Sequence, residues 1–258
     1  MELAANQYVC PDGYGVERFL EEAATAGFRQ VALTRAALAE MTPARLRQAV
    51  ERRDLSVTTL NSAGYFTWEN PEQRKAQDTE NRTLVAAAAE LRAKALCVIT
   101  GGAAEQPDLS TARHRIAEGL AELDALAARE GVHLGLEPIH PKDVATKGCM
   151  NTIAQARAMV APLACTGLII DLFHSWWDPD LGSIASDAGV HVLQVCNVTR
   201  DIRRSPALDR GMLDVRRAIE DFCGVGFNGP IEFEIFATDH EQSEVAPILE
   251  AATAWARS

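Results

Sequence analysis

Eight short apolar runs alternate with helical segments along the whole chain, and this alternation limits the fold more than any other feature of the sequence. The predicted strands span residues 3–9, 30–33, 56–60, 95–99, 133–136, 167–170, 191–195 and 231–233. The predicted helices span residues 16–26, 44–53, 71–93, 110–131, 152–160, 181–188, 213–223 and 243–256. Repeated strand–helix units bury their apolar faces when the strands form a parallel sheet covered by the helices.

The number of repeats and the chain length favour one (β/α)8 barrel, a TIM barrel, over residues 1–258. Such barrels typically have about 250 residues, and this chain has 258 without a low-complexity linker. An open doubly wound sheet is the alternative. The segment GVGFNG at 224–229 fits a dinucleotide-binding pattern by its letters. It follows a predicted helix and precedes a predicted strand, however, which is the reverse of the order that such a site requires.

Composition excludes several classes of partner. The net charge of -11 repels phosphate backbones, which argues against nucleic acid. No apolar stretch approaches the length of a membrane span, and the first residues do not resemble a signal peptide. The six cysteines form no C-x-x-C pair, so we expect buried, reduced thiols in a cytoplasmic protein. A small molecule is the expected partner.

Four polar residues stand at the ends of the last four predicted strands. They are Glu137 in HLGLEPIHP, Asp171 in TGLIIDLFH, Gln194 in VHVLQVCN and Glu234 in GPIEFEIF. In a parallel barrel the carboxyl ends of the strands meet at one face, where the chemistry of such proteins is located. Three carboxylates and an amide oxygen at that face would form a site for a hard divalent cation. Glu232 points the same way as Glu234 by strand alternation and is expected deeper in the barrel.

These segments resemble the xylose isomerase-like barrels of sugar isomerases and epimerases. GLEPIHP is similar to the fifth-strand motif that carries a metal-binding glutamate, here Glu137. DLFH resembles the D-x-x-H motif, which implies Asp171 as a ligand and His174 as a substrate contact. LDRGM resembles the segment whose arginine touches substrate, here Arg210, and GFNGPIEFE implies Glu234 as the last ligand.

The chain departs from the family pattern on the seventh strand, where Gln194 stands in place of the usual histidine ligand. An amide oxygen is a harder and weaker ligand than imidazole, so Mn²⁺ or Mg²⁺ is the expected cofactor, with Co²⁺ or Zn²⁺ as alternatives. Two further candidate substrate contacts are His140, which lies in the Glu137 motif, and Trp177, which belongs to an aromatic cluster after Asp171.

The resemblance and the placement of charge predict a metal-dependent isomerase or epimerase of a small keto sugar or hydroxy-keto acid. A divalent ion would polarise the carbonyl group, and Glu137 and Glu234 would remove and return the proton beside it. If both glutamates contact the substrate, the outcome is epimerisation. If one of them carries the proton between adjacent carbons, the outcome is isomerisation.

Two alternatives remain open at this stage. A dehydratase of the inosose or dehydroshikimate type begins with the same proton abstraction and then expels a hydroxyl group. A barrel that binds a sugar-like ligand without turnover is the other alternative. A DNA-repair endonuclease is disfavoured, because its zinc cluster needs more histidine ligands and its groove needs basic charge. The sequence also leaves open whether the barrel forms a homodimer.

Overall fold

Eight parallel strands form a closed barrel in the computed structural model, which describes residues 1–187, 189–240 and 244–258. The barrel strands are β1 (Ala4–Asn6), β2 (Gln30–Thr34), β3 (Ser56–Gly64), β4 (Ala95–Ile99), β5 (Leu134–Leu136), β6 (Thr166–Asp171), β7 (Val190–Val195) and β10 (Ile231–Phe233). Around the barrel they follow one another in this order, so consecutive strands are neighbours and β10 closes against β1. The predicted (β/α)8 barrel is confirmed, and the open sheet is wrong.

Helices surround the barrel, and capping residues fix several of their ends. They are α1 (Val16–Ala26), α2 (Arg35–Glu40), α3 (Pro43–Glu51), α4 (Pro71–Leu91), α5 (Leu109–Glu130), α6 (Ile153–Val160), α7 (Leu172–Ser175), α8 (Leu181–Ile184), α9 (Val215–Gly224) and α10 (Ala246–Arg257). Asn70 caps α4 by accepting hydrogen bonds from two backbone N–H groups, and Asp108 caps α5 by accepting one from the backbone N–H of Thr111. Gly131 ends α5 in the left-handed conformation that glycine adopts most easily.

The structure differs from the predicted elements in the loops that follow the strands. The first strand ends at Asn6, because its side chain accepts a hydrogen bond from the backbone N–H of Tyr8 and starts a short 3-10 helix, Gln7–Val9. The third strand continues to Gly64. A hairpin of β8 (Asn197–Val198) and β9 (Arg204–Ser205) was not predicted. Residues 188 and 243, an end of one predicted helix and the start of another, lie outside the described residues.

Three apolar clusters within the described residues hold the barrel and its helices together. The largest lies between strands and helices and includes Phe19 and Phe222. A smaller cluster includes Ala95, Cys97 and Ile99, which are alternate residues of β4 and so share one face of that strand. All six cysteines are free thiols. None of the helices within the described residues has the length and apolar character needed to cross a membrane.

A buried carboxylate ties α5 to the start of β6. Asp124 accepts hydrogen bonds from the backbone N–H groups of Ala164 and Cys165, both at 3.0 Å, and from the Thr166 hydroxyl at 2.6 Å. Only 6% of Asp124 is exposed. Its removal would leave these donors without their acceptor, and an unpaired buried donor costs more than the net gain of one hydrogen bond.

We therefore expect Asp124→Ala to lower the free energy of unfolding by about 2–4 kcal/mol. Asp221→Ala is the matched control, because Asp221 is half exposed and its ion pair with Arg217 lies on the surface. The control should change stability by less than about 0.5 kcal/mol. Urea unfolding followed by circular dichroism measures both variants, and equal losses in the two would contradict a special role for Asp124.

Candidate metal and catalytic site

The four strand-end residues converge at the carboxyl face of the barrel. Glu137 follows β5, Asp171 ends β6, Gln194 lies near the end of β7, and Glu234 follows β10. Asp171 and Gln194 are register partners on neighbouring strands. All four are buried, with exposed fractions of 4%, 0%, 0% and 3% respectively. His174 joins them from α7 and is also buried. The structure thus brings together five of the residues predicted from the sequence.

A histidine and two carboxylates form the tightest group. His174 Nε2 lies 3.6 Å from Glu137 Oε1 and 3.8 Å from Asp171 Oδ2. One ligand atom from each residue lies within 4.8 Å of the others, which is close enough for all three to hold one metal ion. A backbone hydrogen bond orients the ring of His174, because its Nδ1 accepts from the N–H of His140 at 3.1 Å. Its Nε2 therefore faces the carboxylates.

Arg204 lies at the centre of the site, and the sequence analysis missed it. Its Nη2 lies 2.5 Å from Asp171 Oδ2, 3.3 Å from Glu234 Oε1 and 3.4 Å from His174 Nε2. It is carried on the β8–β9 hairpin, which turns the chain back over the barrel mouth. In the sequence it belongs to the charged run RDIRR, which has the composition of a solvent-exposed loop. The only signal in the sequence was the arginine that touches substrate in the similar family. The resemblance assigned that role to a residue later in the chain.

Arg210 was that residue, and the structure does not place it in the site. Its side chain is 84% exposed, and its Nε lies 3.7 Å from the carboxylate of the neighbouring Asp209. The prediction that Arg210 touches substrate has no support from this geometry. The physical reason is that Arg210 follows the hairpin and lies in a solvent-exposed turn, whereas Arg204 is on the hairpin strand that covers the site.

A second layer of hydrogen bonds lies beneath the site. Glu232, fully buried on β10, is surrounded by neutral donors at 2.6 to 3.4 Å. These donors are the side chains of Asn6, Thr58, Thr59 and Gln194. Asn6 Nδ2 also donates to Glu234 Oε2 at 3.0 Å and so connects the two layers. The expectation that Glu232 lies deeper than Glu234 agrees with these contacts.

Gln194 offers a free acceptor to the site. Its Nε2 donates to Glu232 Oε2 at 3.0 Å, which uses the nitrogen end of the amide. Its Oε1 is fully buried and has no hydrogen-bond partner among the residues that the structure describes. Buried acceptors are rarely left unsatisfied in folded proteins. An unpaired amide oxygen among carboxylates therefore fits a metal ligand, and the donor set of Glu137, Asp171, Gln194 and Glu234 suits a hard divalent cation.

Burial and mutual repulsion raise the pKa of the two outer glutamates. Burial, followed by the charge of Asp171, raises the pKa of Glu137 to about 7. Burial also raises the pKa of Glu234 well above its ordinary value, although Arg204 opposes the shift. Burial and the charge of Arg204 lower the pKa of His174, so its ring is neutral near pH 7. The site therefore contains two carboxyl groups with raised pKa beside a neutral imidazole.

His140 and Trp177 flank His174. Their rings meet edge to face at 5.8 Å, and the Trp177 indole N–H donates to the backbone carbonyl of His174 at 2.9 Å. His140 Nδ1 accepts a hydrogen bond from the backbone N–H of Lys142, and His140 thereby caps a short 3-10 helix. Both residues thus lie beside His174, and the contacts found for them orient its ring. A contact with substrate stays a prediction.

A cavity of about 320 Å³ lies over the carboxyl ends of β1, β2 and β3. Its wall includes Gln7, Tyr8, Thr34, Arg35, Glu40 and Asn61. The ring of Tyr8 stacks on Phe236 at 4.5 Å, and Phe236 lies two residues beyond Glu234. The cavity therefore adjoins the carboxylate group, on the side of the barrel opposite β5 and β6.

Two of the three charged residues that line this cavity, Arg35 and Glu40, are already paired within the protein, and the third is Asp12. Arg35 Nη1 lies 2.7 Å from Glu80 Oε1. The carboxylate of Glu40 accepts hydrogen bonds at 3.0 and 3.1 Å from the backbone N–H that begins α1. The cavity wall consequently presents mainly hydroxyl, amide and aromatic groups. Such a wall suits an uncharged polar molecule better than a phosphorylated one.

The chain belongs to the family described as xylose isomerase-like TIM barrel, which matches residues 20–258 and confirms the resemblance seen in the sequence. Protein SMc04130 from Sinorhizobium meliloti 1021 is 26% identical, with a TM-score of 0.87 and coverage of 98% of this chain and 97% of that chain. Comparison with curated proteins gave no match.

Two more distant structures share the fold. The apo form of 3-keto-D-glucoside 4-epimerase, YcjR, from E. coli is 20% identical, with a TM-score of 0.79 and coverage of 99% of this chain and 98% of that chain. The IOLI protein with a binding zinc atom is 16% identical, with a TM-score of 0.82 and coverage of 100% and 97%. At these identities the likeness shows the fold alone.

The raised pKa of Glu137 predicts that the protein, freed of metal by a chelator, loses stability as the pH rises. Its folded-state pKa of about 7 exceeds the ordinary value of 4.5, so the folded state holds a proton that the unfolded state has released between these values. The stabilisation is complete below pH 4.5 and is lost as the pH rises through 7. This group contributes a slope of up to about 1.4 kcal/mol per pH unit.

Urea unfolding at half-unit pH intervals measures this slope. Glu137→Gln should make it shallower, because glutamine does not titrate. Glu118→Gln, at an exposed position beside His114, is the control and should keep the slope of the parent. A Glu137→Gln slope equal to that of the parent would show that Glu137 titrates at its ordinary pKa.

Proposed function

We propose that the protein is a divalent-metal-dependent isomerase or epimerase of a small keto sugar or hydroxy-keto acid. One observation carries the proposal: two buried carboxyl groups with raised pKa, Glu137 and Glu234, flank Asp171 at the carboxyl face of the barrel. Membership of the xylose isomerase-like family supports it. So do the sugar epimerase and the zinc-binding protein among the structures that share the fold.

Glu137, Asp171, Gln194 and Glu234 would hold the ion, and their oxygen ligands favour Mn²⁺ or Mg²⁺. Once bound, a divalent cation would polarise the substrate carbonyl and stabilise negative charge on its oxygen. The expected reaction is proton abstraction beside that carbonyl, through an enediolate. We expect it to take place in the cytoplasm, in keeping with the free thiols.

Glu137 and Glu234 are the proposed base and acid. A catalytic pKa near the working pH gives the best compromise between the correct protonation state and the driving force for proton transfer. Burial brings the pKa of Glu137 to that range in the metal-free protein, and the charge of a bound cation would lower it, which would keep Glu137 ionised and able to accept a proton. The two residues follow β5 and β10, with β6 and β7 between them, so they approach a bound substrate from different directions. One can remove a proton, and the other can supply one.

His174 and Arg204 would contact the substrate oxygens. Because His174 Nδ1 accepts from the backbone of His140, the neutral ring carries its proton on Nε2, which faces the site. This N–H can donate to a substrate hydroxyl or to an oxygen that gains charge. Arg204 replaces Arg210 in the role of the arginine that holds a polar substrate group. The cavity lined by Tyr8 would receive the rest of a sugar-like molecule.

Solvent deuterium exchange tests the proton transfer. In D₂O with Mn²⁺, the parent protein should place deuterium beside the carbonyl of at least one member of a panel of ketoses and hydroxy-keto acids. Glu137→Gln and Glu234→Gln should each reduce the exchange rate by at least about 100-fold. Glu118→Gln is the control with the same chemical change at an exposed position, and it should exchange like the parent.

Mass spectrometry and proton NMR follow the exchange. Full exchange in either site variant, with Mn²⁺ still bound, would remove that glutamate from the proposed role. A product lighter by one water molecule would identify a dehydratase instead. An absence of exchange with every substrate in the parent, despite bound metal, would favour a binding protein.

The unpaired oxygen of Gln194 predicts its part in metal binding. Gln194→Ala should weaken Mn²⁺ binding by about 10- to 100-fold, the range seen when a metal site loses a supporting group. Gln194→His should favour Zn²⁺ relative to Mn²⁺, since imidazole is the softer ligand. Isothermal calorimetry with each metal measures both effects. Gln73→Ala, at an exposed position on α4, is the control, and Mn²⁺ affinity unchanged by Gln194→Ala would exclude Gln194 as a ligand.

A further inference from the structure

We infer that the guanidinium group of Arg204 is a resident cation that competes with the divalent metal for Asp171 and Glu234. Metal binding would then require Arg204 to leave its present position. The inference rests on the metal site proposed above and adds a property of this chain to it. In the metal-free protein the arginine offsets part of the negative charge of the site, and the affinity for metal is lower than the same carboxylates would give without it.

Distances support direct competition. The Arg204 Nη2 atom touches Asp171 Oδ2 and lies 3.3 Å from Glu234 Oε1, so it bridges two of the proposed ligands. A divalent ion bound by the same two oxygens would lie at about 2.0–2.6 Å from each. It would therefore lie within a few ångströms of the guanidinium, and two cations at that distance in a buried site repel each other strongly. The two cannot share these oxygens in this arrangement.

Charge explains why a cation is held there without metal. Glu137, Asp171, Glu232 and Glu234 are all buried at or beneath the barrel mouth. Within the described part of the chain, Arg204 is the only arginine or lysine in ion-pair contact with any of them. Burial by itself lowers the pKa of an arginine, but Asp171 and Glu234 raise that of Arg204 well above its ordinary value. The guanidinium thus remains charged and stabilises carboxylates that would otherwise repel one another.

The surroundings of Arg204 offer it an alternative position. Its guanidinium lies 4.4 Å from the ring centre of Phe173 and 4.9 Å from that of Phe236. Aromatic faces attract a cation without fixing it to one point, in contrast to a bidentate carboxylate. The residue is also carried on a hairpin whose strands have only two residues each. A change of side-chain rotamer along the two rings would move the charge away from Asp171 while keeping it at the barrel mouth.

Calorimetric titration with Mn²⁺ alone tests the competition. Arg204→Met keeps an unbranched side chain of similar reach and removes the charge, and it should bind Mn²⁺ at least about tenfold more tightly than the parent. Arg203→Met is the matched control, since Arg203 is the neighbouring hairpin residue, is exposed and contacts the backbone carbonyl of Thr238. The control should change Mn²⁺ affinity by less than about threefold.

The outcomes separate the inference from the proposed function. Tighter binding in Arg204→Met than in Arg203→Met supports competition. Equal or weaker binding in Arg204→Met, with the parent still binding Mn²⁺, overturns it and leaves the metal site intact. If neither the parent nor Arg204→Met binds Mn²⁺, the proposed metal site itself fails, and the inference fails with it.

Crystal structures of the parent protein provide a test that does not depend on a variant folding. Without Mn²⁺, Arg204 should contact Asp171. With Mn²⁺ bound to Asp171 and Glu234, the guanidinium should have moved out of hydrogen-bond range of both carboxylates. A guanidinium that keeps its contacts with Asp171 and Glu234 beside the bound ion would overturn the inference.

Discussion

The concentration of buried negative charge at the barrel mouth is the constraint on which the site depends. Burial raises the free energy of each ionised carboxylate, and each further carboxylate adds electrostatic repulsion. Two features of the structure stabilise the carboxylates. Arg204 supplies a positive charge to Asp171 and Glu234, and neutral donors surround Glu232. The raised pKa values of Glu137 and Glu234 show the part of this cost that remains. The same unresolved charge makes the site suited to a divalent ion and to proton transfer.

The barrel fixes the positions of these charged groups because its strands are parallel and in a fixed register. Asp171 and Gln194 are direct partners across β6 and β7, so their positions at the mouth do not depend on loops. The loops add orientation: the backbone of His140 sets the ring of His174, and the hairpin carries Arg204. Rigid strands hold the candidate ligands, while the residues most able to move lie on short connecting elements.

Much of the fold and part of the site could be predicted from the sequence. Strand–helix alternation is a local pattern, so it indicated eight strands and a barrel before any contact was known. Glu137, Asp171, Gln194 and Glu234 were identifiable because each interrupts an apolar run at the end of a strand. The assignment of Arg210 relied on the resemblance of LDRGM to a family segment, and the structure leaves this residue exposed, outside the site. A motif in a loop does not determine which arginine turns back over the barrel mouth.

The sequence by itself determined the architecture and the placement of carboxylates at one end of the sheet, since periodicity and strand direction are local properties. Tertiary structure alone decided which groups meet there. Asn6 joins Glu234 to Glu232 across the closure of the barrel, and Arg204 reaches Asp171 from a hairpin. Such contacts join residues far apart in the chain. They depend on how the barrel closes and how the loops pack, which no short segment of sequence specifies.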